Sequence, residues 1–133
     1  MSAAEAEFVV ERRLARVATS GLDGSLHVVP VLYAFAEGSF WFSSDPGALK
    51  ARHLAANPRA ALVVDEPPPA KAGVTISGEA EVFVEGWMFD HAQDVLEAAG
   101  AGSKRRRAPG EQVYIRLIPR HVASWRVEPK TEG

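Results

Sequence analysis

Between Leu26 and Phe35 apolar side chains fill both alternating sets of an extended segment, Leu26, Val28 and Leu32 on one and Val29, Val31, Tyr33 and Phe35 on the other. A strand with one wet face alternates apolar with polar, whereas this one asks for cover on both sides. In an antiparallel setting that leaves a closed barrel or a sheet sandwiched between layers. Pro30 narrows the choice further, because it has no N–H to give to a ladder. It marks a bulge, an edge, or a stretch where something other than a strand lies alongside.

The rest of the chain reads around that segment. Ser2 and Glu5 stand at capping-box spacing, so a short helix is expected to about Arg12. Leu14–Thr19 reads as a strand, and the following Asp23-Gly24 step supplies the positive φ of a tight turn. Phe40-Trp41-Phe42 forms an aromatic strand ending at Ser43-Ser44. Asp45-Pro46 is expected to open a helix, with aspartate as N-cap and proline as first helical residue, and Asn57-Pro58 to end it. Ala51, Leu54 and Ala55 make its core stripe, leaving Lys50, Arg52 and His53 on a polar face. Ala60–Val64 is a strand. Val74–Val84 alternates, with Val74, Ile76, Ala80 and Val82 inward and Gly78 as a candidate bulge. Met88 to Ala99 repeats at helical spacing. Val113–Ile118 and Val122–Val127 close the chain as two strands on either side of Pro119-Arg120.

Strands dominate and most connections are of hairpin length. The expected class is therefore mainly β, an antiparallel barrel of about six strands with three short flanking helices. At 133 residues the chain is one domain over 1–133, and 47% hydrophobic residues suffice to bury about two-thirds of the unfolded surface.

Composition removes several chemistries. With Cys 0 there is no disulfide, thiolate nucleophile or cysteine zinc site. His27, His53, His91 and His121 lie on four elements with no pair at i, i+4 spacing, so no metal site is assigned. Ser20 and Ser43 lack the flanking glycines of a serine-hydrolase elbow, and there is no phosphate-cradling glycine loop. A net charge of −2 offers no general attraction for nucleic acid. The start of the chain is acidic, at Glu5 and Glu7, and no apolar run approaches membrane length, so a cytoplasmic protein without membrane association is expected.

One segment keeps chemical interest. Ser43 and Ser44 precede a helix start, and Lys50 lies one turn inside it. Hydroxyls, free amides and positive charge together suit a phosphate. The same residues equally make an ordinary helix start, with Asp45 filling the amides and Lys50 and Arg52 on a solvated face; both readings stay open. The basic run Lys104 to Arg107 reads as a solvated loop or as a clamp for an anionic tail. Trp125 on the final strand suits either a core or a ring-stacking role.

The order of these motifs resembles a known family. Arg16-Val17-Ala18-Thr19, His27-Val28-Val29-Pro30-Val31, Lys50-Ala51-Arg52-His53-Leu54, Asn57-Pro58-Arg59-Ala60, Gly78-Glu79-Ala80-Glu81-Val82 and Pro119 to Trp125 are similar to the pyridoxamine 5'-phosphate oxidase-like split-barrel superfamily. Within it, the chain looks most like the flavin- and deazaflavin (coenzyme F420)-dependent oxidoreductases. The resemblance implies a six-stranded split β-barrel and a homodimer with the cofactor in a groove between subunits. It implies F420 as cofactor, with FMN as the alternative, and hydride transfer to a small organic acceptor. A non-catalytic flavin or haem carrier is the other class of reading.

By the same resemblance, Pro30, Val31 and Leu32 line the cofactor ring. Ser43 and Ser44 stand beside the ribityl chain and phosphate, Lys50 and more weakly Arg52 meet the phosphate, and Trp125 reaches the cofactor from the partner subunit. No catalytic proton donor is implied. The chain departs from the true oxidases in having Val28, Tyr33 and Leu49 where they carry basic residues, and Arg126-Val127-Glu128 after Trp125 in place of their Arg-x-His motif. Oxidation of vitamin B6 is not expected.

Overall fold

The computed structural model of the protein describes residues 1–102 and 105–129. In chain order these form α1 (Ala3–Val10), β1 (Leu14–Ser20), β2 (Leu26–Ala36), β3 (Ser39–Ser44), α2 (Leu49–Ala56), β4 (Arg59–Asp65), β5 (Gly73–Phe83), α3 (Trp87–Ala98) and β6 (Val113–Trp125). The six strands close into an antiparallel barrel in the order β1-β2-β3-β6-β5-β4.

The barrel interior is the main core, built from Val17, Tyr33, Phe40, Phe42, Leu62, Val74, Ile76, Ile115 and Leu117 with their neighbours. The inward set on β5 is the expected one through Val74, Ile76 and Ala80. Helix α1 begins with the predicted capping box, Ser2 and Glu5 exchanging side chain-to-backbone bonds. It closes one end of the barrel through Phe8 and Val9, and the Tyr33 hydroxyl donates to the Val9 carbonyl at 2.6 Å. Helix α2 closes the opposite end with Ala51, His53 and Leu54. Helix α3 covers one patch of the outer wall, where Phe89, Ala92 and Leu96 pack on Ala34, Trp41 and Tyr114.

Three expectations are corrected. Helix α2 starts at Leu49 with Ala48 as its N-cap, three residues later than the expected cap at Asp45 and start at Pro46. The Asp45 carbonyl accepts from Ala48 N–H at 3.1 Å and from the Ser44 hydroxyl at 2.9 Å, so this segment closes a turn before the helical ladder begins. His53 belongs to the buried side of α2, where its Nδ1 lies 2.9 Å from Thr19 Oγ1, and Ala55 is exposed. The two closing strands are one, β6, running through Pro119. Its register against β5 shifts between Ser77 and Gly78, so Ser77 pairs with His121 and Gly78 with Pro119. A proline without an N–H fits where the ladder is already interrupted.

Strand β2 meets the two-sided expectation only in part. Val31 and Tyr33 are buried in the barrel, while Leu26, Val28 and Leu32 on the other face are 83%, 65% and 55% exposed. Closure of the barrel covers one face of each strand and no more. The outer apolar set is bare in the single chain.

Candidate functional site

That bare face extends across five strands. Following the registers outward from β2, one row of outward residues is Pro30, Arg16, Val63, Thr75 and Ala123, and the next is Val28, Ala18, Ala61, Ser77 and His121. Beyond the first row lie Leu32 with its partner Leu14 on the β2 side, and Asp65, Gly73 and Trp125 on the β6 side. Arg16 and Asp65 form an exposed ion pair at 3.1 Å within this sheet face. Small and apolar residues therefore make up most of this outer wall, with Leu14, Leu32 and Trp125 at one end.

The sequence-predicted residues fall at several places around this wall. Pro30 and Leu32 lie on it, outward and exposed. Val31 points the other way, into the barrel core at 8% exposure, which leaves only its backbone for a ligand. Trp125 also lies outward, on β6, which β3 alone separates from β2 in the closed barrel. Its indole lies flat over Gly73, where a Cβ would stand 2.5 Å from Cη2 and 2.8 Å from Cε2. Only a glycine lets the ring lie there.

Ser43 and Ser44 end β3. Ser44 is buried and its hydroxyl is spent on the Asp45 carbonyl, so it offers nothing outward. Ser43 is half-buried and lines a narrow pocket of about 30 Å³ with Gln93, Arg105, Arg106, Gln112 and Tyr114. Lys50, in the first turn of α2, is half-buried, and Arg52 is exposed. Neither has an ion pair or side-chain hydrogen bond among the described residues. Both cations are thus available, while α2 itself has no side-chain cap on its N-terminal amides.

Of the basic run 104–107, Lys104 lies outside the described residues. Arg105 pairs with Glu111 at 2.8 Å and Arg106 with Asp94 at 2.6 Å. The backbone at Arg107 is held by Gln93, which donates to its carbonyl at 2.9 Å and accepts from its N–H at 2.8 Å. These arginines are engaged with the acids of α3 and the adjoining loop. A clamp on a ligand tail must compete with those pairs.

Sequence reasoning missed a second basic group. Arg59 at the start of β4, and Arg120 and His121 on β6, line an open groove of about 450 Å³ at the far end of the wall, with Ser20, Ser77 and Leu26. The signal was present in Gly78 and in the Pro119-Arg120-His121 run, since a bulge places two successive side chains on one face.

Among the described residues, no group of three or more histidines and carboxylates is placed to hold a metal ion, and no helix is long and apolar enough to cross a membrane.

With this geometry in place, comparisons with known proteins locate the fold. The family model described as "Pyridoxamine 5'-phosphate oxidase" matches residues 1–126. A conserved hypothetical protein from Mycobacterium tuberculosis is 24% identical with a TM-score of 0.78, the match covering 100% of this chain and 92% of that one. A FAD-binding protein from Mesorhizobium loti is 26% identical with a TM-score of 0.71, over 93% of this chain and 94% of the other. A protein described as an F420 reductase is 20% identical with a TM-score of 0.70, over 88% and 94%. Comparison with curated proteins yields no match.

Proposed function

The chain belongs to the pyridoxamine 5'-phosphate oxidase family, and on that premise we propose that it is an oxidoreductase using reduced coenzyme F420 to deliver hydride to an unsaturated or carbonyl-bearing organic acceptor. In this reading two copies of the chain form the cofactor cleft between them. The observation that carries it is the bare apolar wall with Pro30, Leu32 and Trp125 exposed. An apolar patch of this extent on a small protein calls for a cover. A second copy and a flat tricyclic ring together supply one.

The residues fit such a coenzyme. Pro30 and Leu32 offer apolar surface for the ring, and Ser43 and Lys50 offer a hydroxyl and an unpaired ammonium for its anionic end. When bound, the coenzyme supplies the hydride; the chain's task is to orient the ring and keep water off it. The choice of F420 over FMN rests on charge. A phosphomonoester such as that of FMN carries close to two negative charges near neutral pH, whereas the phosphodiester of F420 carries one. Here Val28 and Leu49 are apolar, and the Tyr33 hydroxyl is buried on the Val9 carbonyl. Lys50 and, more weakly, Arg52 are left, a smaller basic set that suits the single charge better than the double one. FMN is the alternative, and the resemblance to a FAD-binding protein keeps a flavin in view.

Titration of the purified protein with F420 and with FMN separately, followed by tryptophan fluorescence, tests the reading. F420 is expected to bind more tightly, and Lys50→Ala to weaken it about ten- to a hundredfold, the equivalent of about 1.5 to 3 kcal/mol for a lost charged hydrogen bond. Tighter binding of FMN overturns the choice of coenzyme, and an unchanged dissociation constant in the variant overturns the role of Lys50.

A further inference from the structure

The groove at the far end of the wall has a donor-rich lining that the cofactor reading does not use. It begins where β6 gains one residue over β5. Ser77 pairs with His121 and Gly78 with Pro119, so Arg120 is the extra residue. A β-bulge interrupts the alternation of faces and re-aims side chains. Arg120 and His121 in consequence both line the groove, joined from β4 by Arg59. Gly78 permits the bulge: a Cβ there would overlap the Ile118 carbonyl oxygen and stand 3.2 Å from Arg120 N.

The chemistry of the lining is one-sided. Arg59 has no ion-pair partner among the described residues. Ser20 Oγ accepts from Asn57 Nδ2 at 3.0 Å, which leaves its own proton to point elsewhere. The Ser77 hydroxyl is a further donor. The one carboxylate of the lining is Glu79, whose contact with Arg120 is 3.9 Å between two well-exposed side chains. That is about an ångström longer than the 2.7–2.9 Å of a good charge-assisted bond, so the guanidinium fork is not committed. Two guanidiniums against one carboxylate leave a local excess of positive charge on a chain whose net charge is −2. Leu26, Ala18 and Ala61 supply an apolar flank. Pockets of this size with an apolar wall and a few convergent polar groups suit small organic molecules.

We infer that this groove is a carboxylate-binding subsite and that the acceptor reduced by the protein is an organic acid. Arg59 and Arg120 hold the acid group, Ser20 and Ser77 donate to its remaining lone pairs, and the apolar flank takes the first carbons of its chain. The groove lies about 13 Å along β6 from Trp125, four residues at about 3.3 Å each, on the same outward wall. The use of the bound acid as hydride acceptor rests on the oxidoreductase reading; the binding of the acid does not.

The test uses the full chain without cofactor, hexanoate as probe and hexanamide as its neutral counterpart, with amide chemical shifts as readout. Hexanoate is expected to give saturable shifts centred on Ser20, Ser77 and His121, and hexanamide to bind at least about tenfold more weakly. Arg59→Gln and Arg120→Gln should each lower hexanoate affinity about tenfold, and Glu79→Gln should raise it by removing the competing carboxylate. All three positions are exposed, and the amide spectrum itself reports that each variant is folded. Equal binding of hexanamide, unchanged affinity in both arginine variants, or shifts centred on Lys50 and Arg52 overturns the subsite. Because no coenzyme is present, failure of the F420 titration leaves this result standing, and the reverse also holds.

Discussion

Replacing Gly78 by alanine probes the link between one small residue and the shape of the outward wall. An added Cβ would overlap the Ile118 carbonyl oxygen and stand 3.0 Å from the Ile118 carbonyl carbon and 3.2 Å from Arg120 N. Every one of these neighbours is backbone, so no flexible side chain can move aside. To restore ordinary contact, β5 and β6 must part by roughly an ångström, which stretches about two ladder hydrogen bonds beyond useful length. At about 0.5 to 1.5 kcal/mol each, plus about 1 to 3 kcal/mol for the overpacking, the expected loss is about 2 to 4 kcal/mol. Against a typical stability of about 5 to 15 kcal/mol this is large, and it corresponds to a fall of about 10 °C in Tm. Urea denaturation with an unchanged m-value measures it. Gly47→Ala is the control, since a Cβ there meets nothing within 4 Å, and it should change stability by less than about 1 kcal/mol. A loss below about 1 kcal/mol for Gly78→Ala, with the amide shifts of Arg120 and His121 unmoved, would refute the argument that the bulge requires glycine.

Other consequences follow from the same structure. Leu32→Glu places a charge on the bare wall and is expected to turn the proposed dimer into a monomer by sedimentation analysis; an unchanged mass rules this face out as the contact. His53→Leu strands the buried Thr19 hydroxyl and should cost about 1 to 3 kcal/mol, with Thr19→Val recovering part of it in a double-mutant cycle. Strict additivity would show that the 2.9 Å contact is not the cause. Burial pushes the Tyr33 phenol well above its ordinary value. The unfolded chain therefore loses this proton first: stability is unaffected below about pH 10 and falls as pH climbs from there toward the folded-state value. Tyr33→Phe should flatten that alkaline decline while costing about 1 kcal/mol at pH 7 for the lost bond to Val9, as read from urea midpoints between pH 8 and 11.

Local pattern carried the elements because local physics decides them. The capping box of Ser2 and Glu5 and the alternation from Val74 to Ala80 depend on neighbours a few residues away, and each is found in the structure; the bulge opposite Gly78 is found too, flagged by the glycine although its partner is β6. Where the expectation failed, a contact distant in sequence or a competing turn had won. His53 sits on the buried side of α2 because Thr19, 34 residues earlier, offers its hydroxyl there. Asp45 does not cap α2 because the turn closed from Ala48 N–H to the Asp45 carbonyl comes first and moves the helix start to Leu49. Pro119 does not divide the last strand because the β5 register absorbs it at Gly78.

The sequence by itself determined that this chain is a small β-barrel with apolar residues on both sides of β2, since covering alternating side chains is a requirement each strand states alone. Which of those sides would remain bare was decided only by the tertiary structure: closure buries one face of every strand, and α3 covers the other face at Ala34, Trp41 and Tyr114 but not at Leu26, Val28 and Leu32. Closure also brought β6, with Trp125, within two strands of β2 and gathered Arg59, Arg120 and His121 around one groove, because strand order and register, unlike periodicity, are properties of the whole sheet.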